Sequence, residues 1–156
     1  MKTARNKGSV RKDEIRKFRY KCLISGSTAT HDEKQIETHI VRFIKDWGLT
    51  KDNTIFLITL IDKNNENLLS NWCERNGYQW HEPQIEWSNL KTGRVVEKTN
   101  KDGEVYNSAA PYERNSRLSK ISTHGLIFYN GKDKITEDLI KCCNDNHVRI
   151  RMIRHN

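Results

Sequence analysis

The sequence has no apolar run approaching the roughly 20 residues a membrane-spanning helix needs, which argues against a bilayer protein. Its basic start is not followed by the apolar stretch of a secretory signal, so a soluble, cytoplasmic protein is expected. Cysteine is scarce and unpatterned. Cys22, Cys73, Cys142 and Cys143 form no C-x-x-C pair, and no histidine lies at zinc-finger spacing from them. The expectation is buried or semi-buried thiols in a reducing compartment and no metal site. There is no internal repeat and no low-complexity tract. Acids are nearly missing from the first 21 residues, which hold only Asp13 and Glu14 against nine Lys and Arg.

That last shortage places +7 of the net charge of +8 at one end of the chain. The remainder is close to neutral. Residues 1–19 therefore read as a basic arm, flexible or loosely helical, with Arg11, Lys12, Arg16, Lys17 and Arg19 as the cations for a phosphate backbone. Binding of that kind releases counterions and weakens with salt. The chain is 156 residues long, 35% hydrophobic and 31% charged. That suits one domain with a real core, and it is too rich in aromatic and β-branched residues for disorder. The abundance of Asn and Lys suggests an AT-rich coding genome, as in many phages.

The hydrophobic pattern alternates strand and helix. "YKCLISGS" (20–27) is a buried strand ending in a Gly turn. It precedes an amphipathic helix carrying Ile36, Ile40, Phe43, Ile44 and Trp47 at three- and four-residue spacing, capped by Thr30 or Asp32 and stopped by Gly48. "TIFLITLID" (54–62) is a second strand, and "NENLLSNWCERNG" a second helix ending at Gly77. "YQWHEPQIEW" (78–87) alternates as a third strand, broken near Pro83. Residues 88–107 are polar with two turn signals, and predict a hairpin or flap with "RVVEK" and "EVYN" as arms. A helix near 113–121, the strand "HGLIFYNG" (124–131), a helix "TEDLIKCCNDN" with Thr136 as N-cap, and a final strand "VRIRMI" complete residues 20–156. This order predicts an α/β, Rossmann-like three-layer sandwich with a mostly parallel sheet and a small hairpin insertion.

In such sheets ligands bind outside the carboxyl ends of the strands, near a topological switch point. Three places answer to that rule. "SGST" after the first strand offers Gly26 for close backbone approach, the hydroxyls of Ser25, Ser27 and Thr28, and the start of the next helix for phosphate. "YNSAAPYERNSRLSK" (106–120) places Arg114 in the first turn of a helix, where a cation opposes the dipole unless an anion is bound. Its planar fork suits phosphate, or an ion pair with Glu113 or Glu137. "YNGKDKITED" (129–138) supplies Gly131 for a tight turn, Thr136 as cap and hydroxyl donor, and Glu137 and Asp138 as helix-start acids.

Strand-"SGS", "NWCERNG", "AAPYERNSRLS", "GLIFYNG…TEDLI" and "VRI", in this order, resemble the SLOG superfamily of Rossmann-like nucleotide-binding domains. That group includes the YspA-like domains, the DprA DNA-processing domain and the LOG phosphoribohydrolases. In YspA-like members small residues precede an Arg-Asn pair, as Ala109, Ala110 and Pro111 precede Arg114 and Asn115 here. The resemblance implies phosphate or nucleotide binding by Ser25, Gly26, Ser27, Thr28, Arg114, Asn115, Gly131 and Thr136. It implies a catalytic Arg114 aided by Asp138 or Glu137, and self-association into a homo-oligomer. The turn "NGKDKIT" keeps one Gly where relatives have three, "DKNNEN" replaces a Gly-Ala-Asp turn, and Leu139 stands where LOG enzymes carry Glu. The expectation is accordingly a nucleotide-phosphate-binding domain acting on nucleic acid, single-stranded DNA first, by DNA processing or endonuclease chemistry. A nuclease would draw on carboxylates, with Mg²⁺ as the candidate metal; Asp62, Glu66, Glu82, Glu86, Glu113 and Asp138 stand near strand ends and no motif selects among them. Trp80, Trp87, Tyr106 and Tyr112 are candidate stacking residues. The alternatives are a nucleotide N-glycosidase and a non-catalytic nucleotide sensor.

Overall fold

Alternation within the apolar runs decides the layers. In the computed structural model, which describes residues 8–27, 31–60 and 67–154, Cys22 and Ile24 of β1 (Tyr20–Gly26) face one way and Leu23 the other. β1 is followed by α1 (Glu33–Trp47), β2 (Thr54–Ile58), α2 (Leu68–Asn76) and the short β3 (Gln79–His81). Then come the hairpin strands β4 (Glu97–Thr99) and β5 (Val105–Asn107), followed by α3 (Ala110–Ile121), β6 (His124–Tyr129), α4 (Lys134–Asp145) and β7 (Arg149–Arg154). No helix among the described residues is long and apolar enough to cross a membrane.

Five strands pair in parallel in the order β3-β2-β1-β6-β7, and β4 with β5 form the separate antiparallel hairpin. Both faces of the sheet are covered, as an all-parallel sheet requires. Cys22, Ile24, Phe56, Leu126 and Phe128 pack with Ile36, Ile40 and Phe43 of α1 and Leu69 and Trp72 of α2. Leu23, Ile55, Leu57 and Ile127 pack with Leu118 of α3 and Leu139 and Cys143 of α4. Phe43, Phe56 and Phe128 are wholly buried, each stabilising the fold by about 1.5–3 kcal/mol over its exposed state. The Rossmann-like sandwich predicted from the strand–helix alternation is the fold observed.

The chain steps outward from β1 to β3, then returns to place β6 on the other side of β1. The switch point therefore lies between the carboxyl ends of β1 and β6, where Ser25 and Gly26 pair with Ile127 and Phe128.

Several boundaries differ from expectation. The third strand stops at His81, because the chain turns off the sheet before Pro83. α3 begins at Ala110, with Pro111 in its opening turn, so Arg114 stands in the second turn rather than the first. Asp133, not Thr136, caps α4, and Asp32 caps α1 by accepting from Gln35 N at 2.8 Å. Thr28, Thr30, Asp62 and Glu66 lie outside the described residues. Residues 8–19 are not loose. Gly8 bridges to His81, Ser9 bonds Trp80, and the 3₁₀ turn Lys12–Lys17 buries Ile15 in the core on the α3–α4 side.

Candidate functional site

A cleft of about 220 Å³ opens at the switch point. Its floor is the end of β1 with Thr59 beyond β2, and its walls are α3 and the start of α4. Ile85 and Trp87, from the segment between β3 and the hairpin, complete the lining. Five of the residues expected to bind phosphate meet here: Ser25, Gly26, Arg114, Asn115 and Thr136. Ser27, Gly131, Glu137 and Asp138 do not line the cleft, and Thr28 is outside the described residues.

Gly26 is required by the sheet itself. Its φ is +102°, and a Cβ would stand 1.9 Å from the Phe128 carbonyl oxygen. The glycine lets β1 and β6 close against each other at the cleft floor. Beside it, Ser25 Oγ accepts from Thr59 Oγ1 at 2.8 Å.

Arg114 is the cation of the cleft. Nη1 donates to the Pro83 carbonyl at 3.2 Å, and the buried Nε finds no acceptor among the described residues. No carboxylate among them makes an ion pair with it: Glu113 pairs with Arg117 at 2.7 Å, and Glu137 accepts from the Tyr129 hydroxyl. Burial first, then the neighbouring Arg117, pushes the Arg114 pKa down to about 10, with Glu82 acting in the opposite direction. The group is still charged at neutral pH, at an electrostatic cost.

Asn115 and Asp138 tie the helices and the hairpin together. The Asn115 amide nitrogen donates to the Ile135 carbonyl at 2.9 Å and to Asp138 at 3.1 Å. Arg94, from the hairpin approach, grips both Asp138 oxygens at 2.9 Å and lies over the Tyr112 ring. Burial would raise the Asp138 pKa, but the bonds from Arg94 and Asn115 outweigh it and hold the carboxylate below its usual range. Gly93 lies close enough to α3 that a Cβ would meet Glu113 at 2.7 Å. Asn107 closes the hairpin base: its side chain accepts from the N–H groups of Val96 and Ala109 and donates to the Arg94 carbonyl, all at 2.9 Å.

Asp133 was not anticipated as a cleft residue. Its carboxylate accepts from Ile135 N at 3.0 Å and from Thr136 Oγ1 at 2.8 Å, so the α4 N-terminus and the threonine hydroxyl are already engaged. Its place three residues before Thr136 carries an N-cap signal that could have found it. Of the proposed stacking aromatics, Trp80 is a core residue bonded to Glu74, whereas Trp87 lines the cleft and is 47% exposed.

The basic segment sits away from full freedom. Arg11 approaches Asp13 and Glu14, Lys12 approaches Glu86 and Lys17 approaches Glu14, while Arg19 lies over the Tyr20 ring and Arg16 is exposed. Exposed pairs of this kind are worth ~0–1 kcal/mol, little enough for a phosphate to displace. Among the described residues no group of three or more His, Cys, Asp or Glu is arranged to hold a metal. Comparison with protein-family models, curated proteins and solved structures finds no match to this chain.

Proposed function

We propose that the switch-point cleft binds the phosphate of a nucleotide and that the protein acts on single-stranded nucleic acid. The observation that carries this reading is Arg114: a cation buried in a cleft, short of acceptors and in no ion pair among the described residues, with Glu82 acting on it without a direct contact. Leaving a buried charge unpaired is unfavourable, and an anion entering the cleft would supply the partner. Trp87 presents an indole to solvent at the cleft, and the sequence holds its excess of positive charge in the first 21 residues. Cations together with an exposed aromatic suit single strands, whose bases are free to stack.

The α4 N-terminus is not the phosphate site in this reading, because Asp133 caps it with negative charge. The phosphate belongs at the Arg114 end. One observation favours a second reading, a nucleotide N-glycosidase: the Asp133 carboxylate shares the cleft with Arg114. The experiment that separates them incubates the protein with single-stranded DNA, RNA and a nucleotide panel, with and without Mg²⁺, and resolves the products. Shortened strands establish a nuclease and free base establishes a glycosidase. Binding lost in Arg114→Gln, without turnover, establishes a binding module. No binding to any of them refutes the phosphate site.

A further inference from the structure

We propose that Trp87 is the base-stacking platform of this cleft and so determines that its ligand is a nucleotide rather than a bare sugar phosphate. The proposal rests on the phosphate reading of Arg114. Three observations lead to it. The first is size: about 220 Å³ is below the ~300–1,000 Å³ of sites that enclose a whole drug-sized ligand. A phosphate and its sugar fill such a space, and the base is left at the mouth.

The second is what stands at the mouth. Trp72 and Trp80 are in the core, but Trp87 is 47% exposed and lines the cleft. Its ring meets Tyr106 edge-on, at 6.4 Å and 65°. A T-shaped contact takes up at most one face of the indole, and the exposed part of the ring is the surface for another π system.

The third is rigidity. The Trp87 carbonyl accepts from Asn107 N at 2.7 Å, which ties it to the hairpin base. On the other side, Arg114 and Arg117 donate to the carbonyls of Pro83 and Gln84, each at 3.2 Å. Arg114 therefore fixes the loop that carries the platform as well as offering charge to the phosphate. The separation of the two subsites is set before a ligand arrives, so little ordering is left for binding to supply. An exposed ring face carries no hydrogen-bonding code, and every base has a π face, so the platform accepts any base.

The test compares oligo(dT) with an all-abasic oligonucleotide of the same length and charge, so that phosphate contacts cancel. Wild type is expected to prefer oligo(dT) by about 5- to 150-fold, the range of one stacked base. Trp87→Leu keeps an apolar side chain but no π face; it should bind both strands equally, with abasic affinity unchanged, while Trp87→Phe retains part of the preference. dTMP and 2-deoxyribose 5-phosphate, compared in the same way, show whether the platform serves a free nucleotide or a strand. Equal binding of each base-bearing and base-free pair by wild type, or a preference that survives in Trp87→Leu, overturns the platform and leaves the phosphate site standing. Abasic binding that Arg114→Gln does not weaken, or no binding by wild type, removes the phosphate site and the platform with it.

Discussion

Arg114 serves two ends at one position. It holds the Pro83 carbonyl, and it carries a charge that burial makes unfavourable, with its pKa pushed down to about 10. Arg114→Gln removes the buried charge while keeping a donor, so the two effects offset and the ligand-free stability should change by less than about 1 kcal/mol. The same variant should lose the rise in Tm that a bound phosphate or nucleotide gives wild type, a rise worth about 2.7 kcal/mol at a hundred times Kd. Thermal unfolding with and without ligand checks both; an unchanged ligand-dependent rise would refute the anion role. Asp138 is the opposite case. Its hydrogen bonds from Arg94 and Asn115 need the carboxylate, and its pKa is held below the usual range despite the burial that would raise it. That stabilisation is present above the unfolded-state pKa and is lost as pH falls through the lower folded value. Asp138→Asn should therefore loosen the hairpin at neutral pH, seen as faster amide exchange at Val96 and Asn107, with the central sheet unaffected. Arg114 was legible from its sequence neighbourhood, but the Arg94–Asp138 pair was not, because the two lie 44 positions apart and only the hairpin's return brings them together.

Among the elements, the contact between β1 and β6 leaves the least room. Gly26→Ala places a methyl 1.9 Å from a backbone oxygen at a φ of +102°. Neither strand can move without breaking the ladder, so the substitution should cost roughly 3 kcal/mol or more by combined strain and overpacking. Denaturant unfolding measures this directly, and a loss under 1 kcal/mol would contradict the geometry. From sequence alone Gly26 looks like a residue that lets a ligand approach; the sheet register shows it lets a strand approach. The hairpin was recognisable by its two Gly turns, yet its position over α3 was not. That depends on Asn107 and Gly93, whose roles appear only when the distant chain is in place.

For the molecule as a whole, pH and salt are the informative variables. His124 is buried between Tyr20 and Trp47, with Arg149 near; burial first and then Arg149 lower its pKa from 6.5. His39 is lowered too, by burial, Arg42 and Arg151. The unfolded chain therefore binds more protons than the folded one near and below pH 6.5, and stability falls as pH drops through that region. His124→Phe should flatten the fall, as followed by urea midpoints across pH. The basic segment makes the other forecast. Residues 8–17 pack against β3 and bury Ile15, so cutting the segment away would damage the core and confuse the result. Replacing Arg16, Lys17 and Arg19 together by Gln leaves those contacts in place. If they touch phosphates, the log–log salt slope for single-stranded DNA should shrink by about 0.7 per cation lost; an unchanged slope would place the strand elsewhere.

Local pattern was enough to determine the layer order of this protein. The period of apolar residues and the alternation of strand and helix are properties of neighbouring residues, and a parallel sheet buried on both faces is what they can build. The sequence also marked Arg114, Ser25 and Thr136, since strand ends and helix starts are local as well. Tertiary structure alone decided the rest. It brought Asp133 into the cleft beside Arg114, turned Trp80 inward and Trp87 outward, and docked Gly8 and Ser9 on β3. These outcomes depend on which distant surfaces meet, and a burial or a charge pair between far positions has no signature in either stretch read by itself.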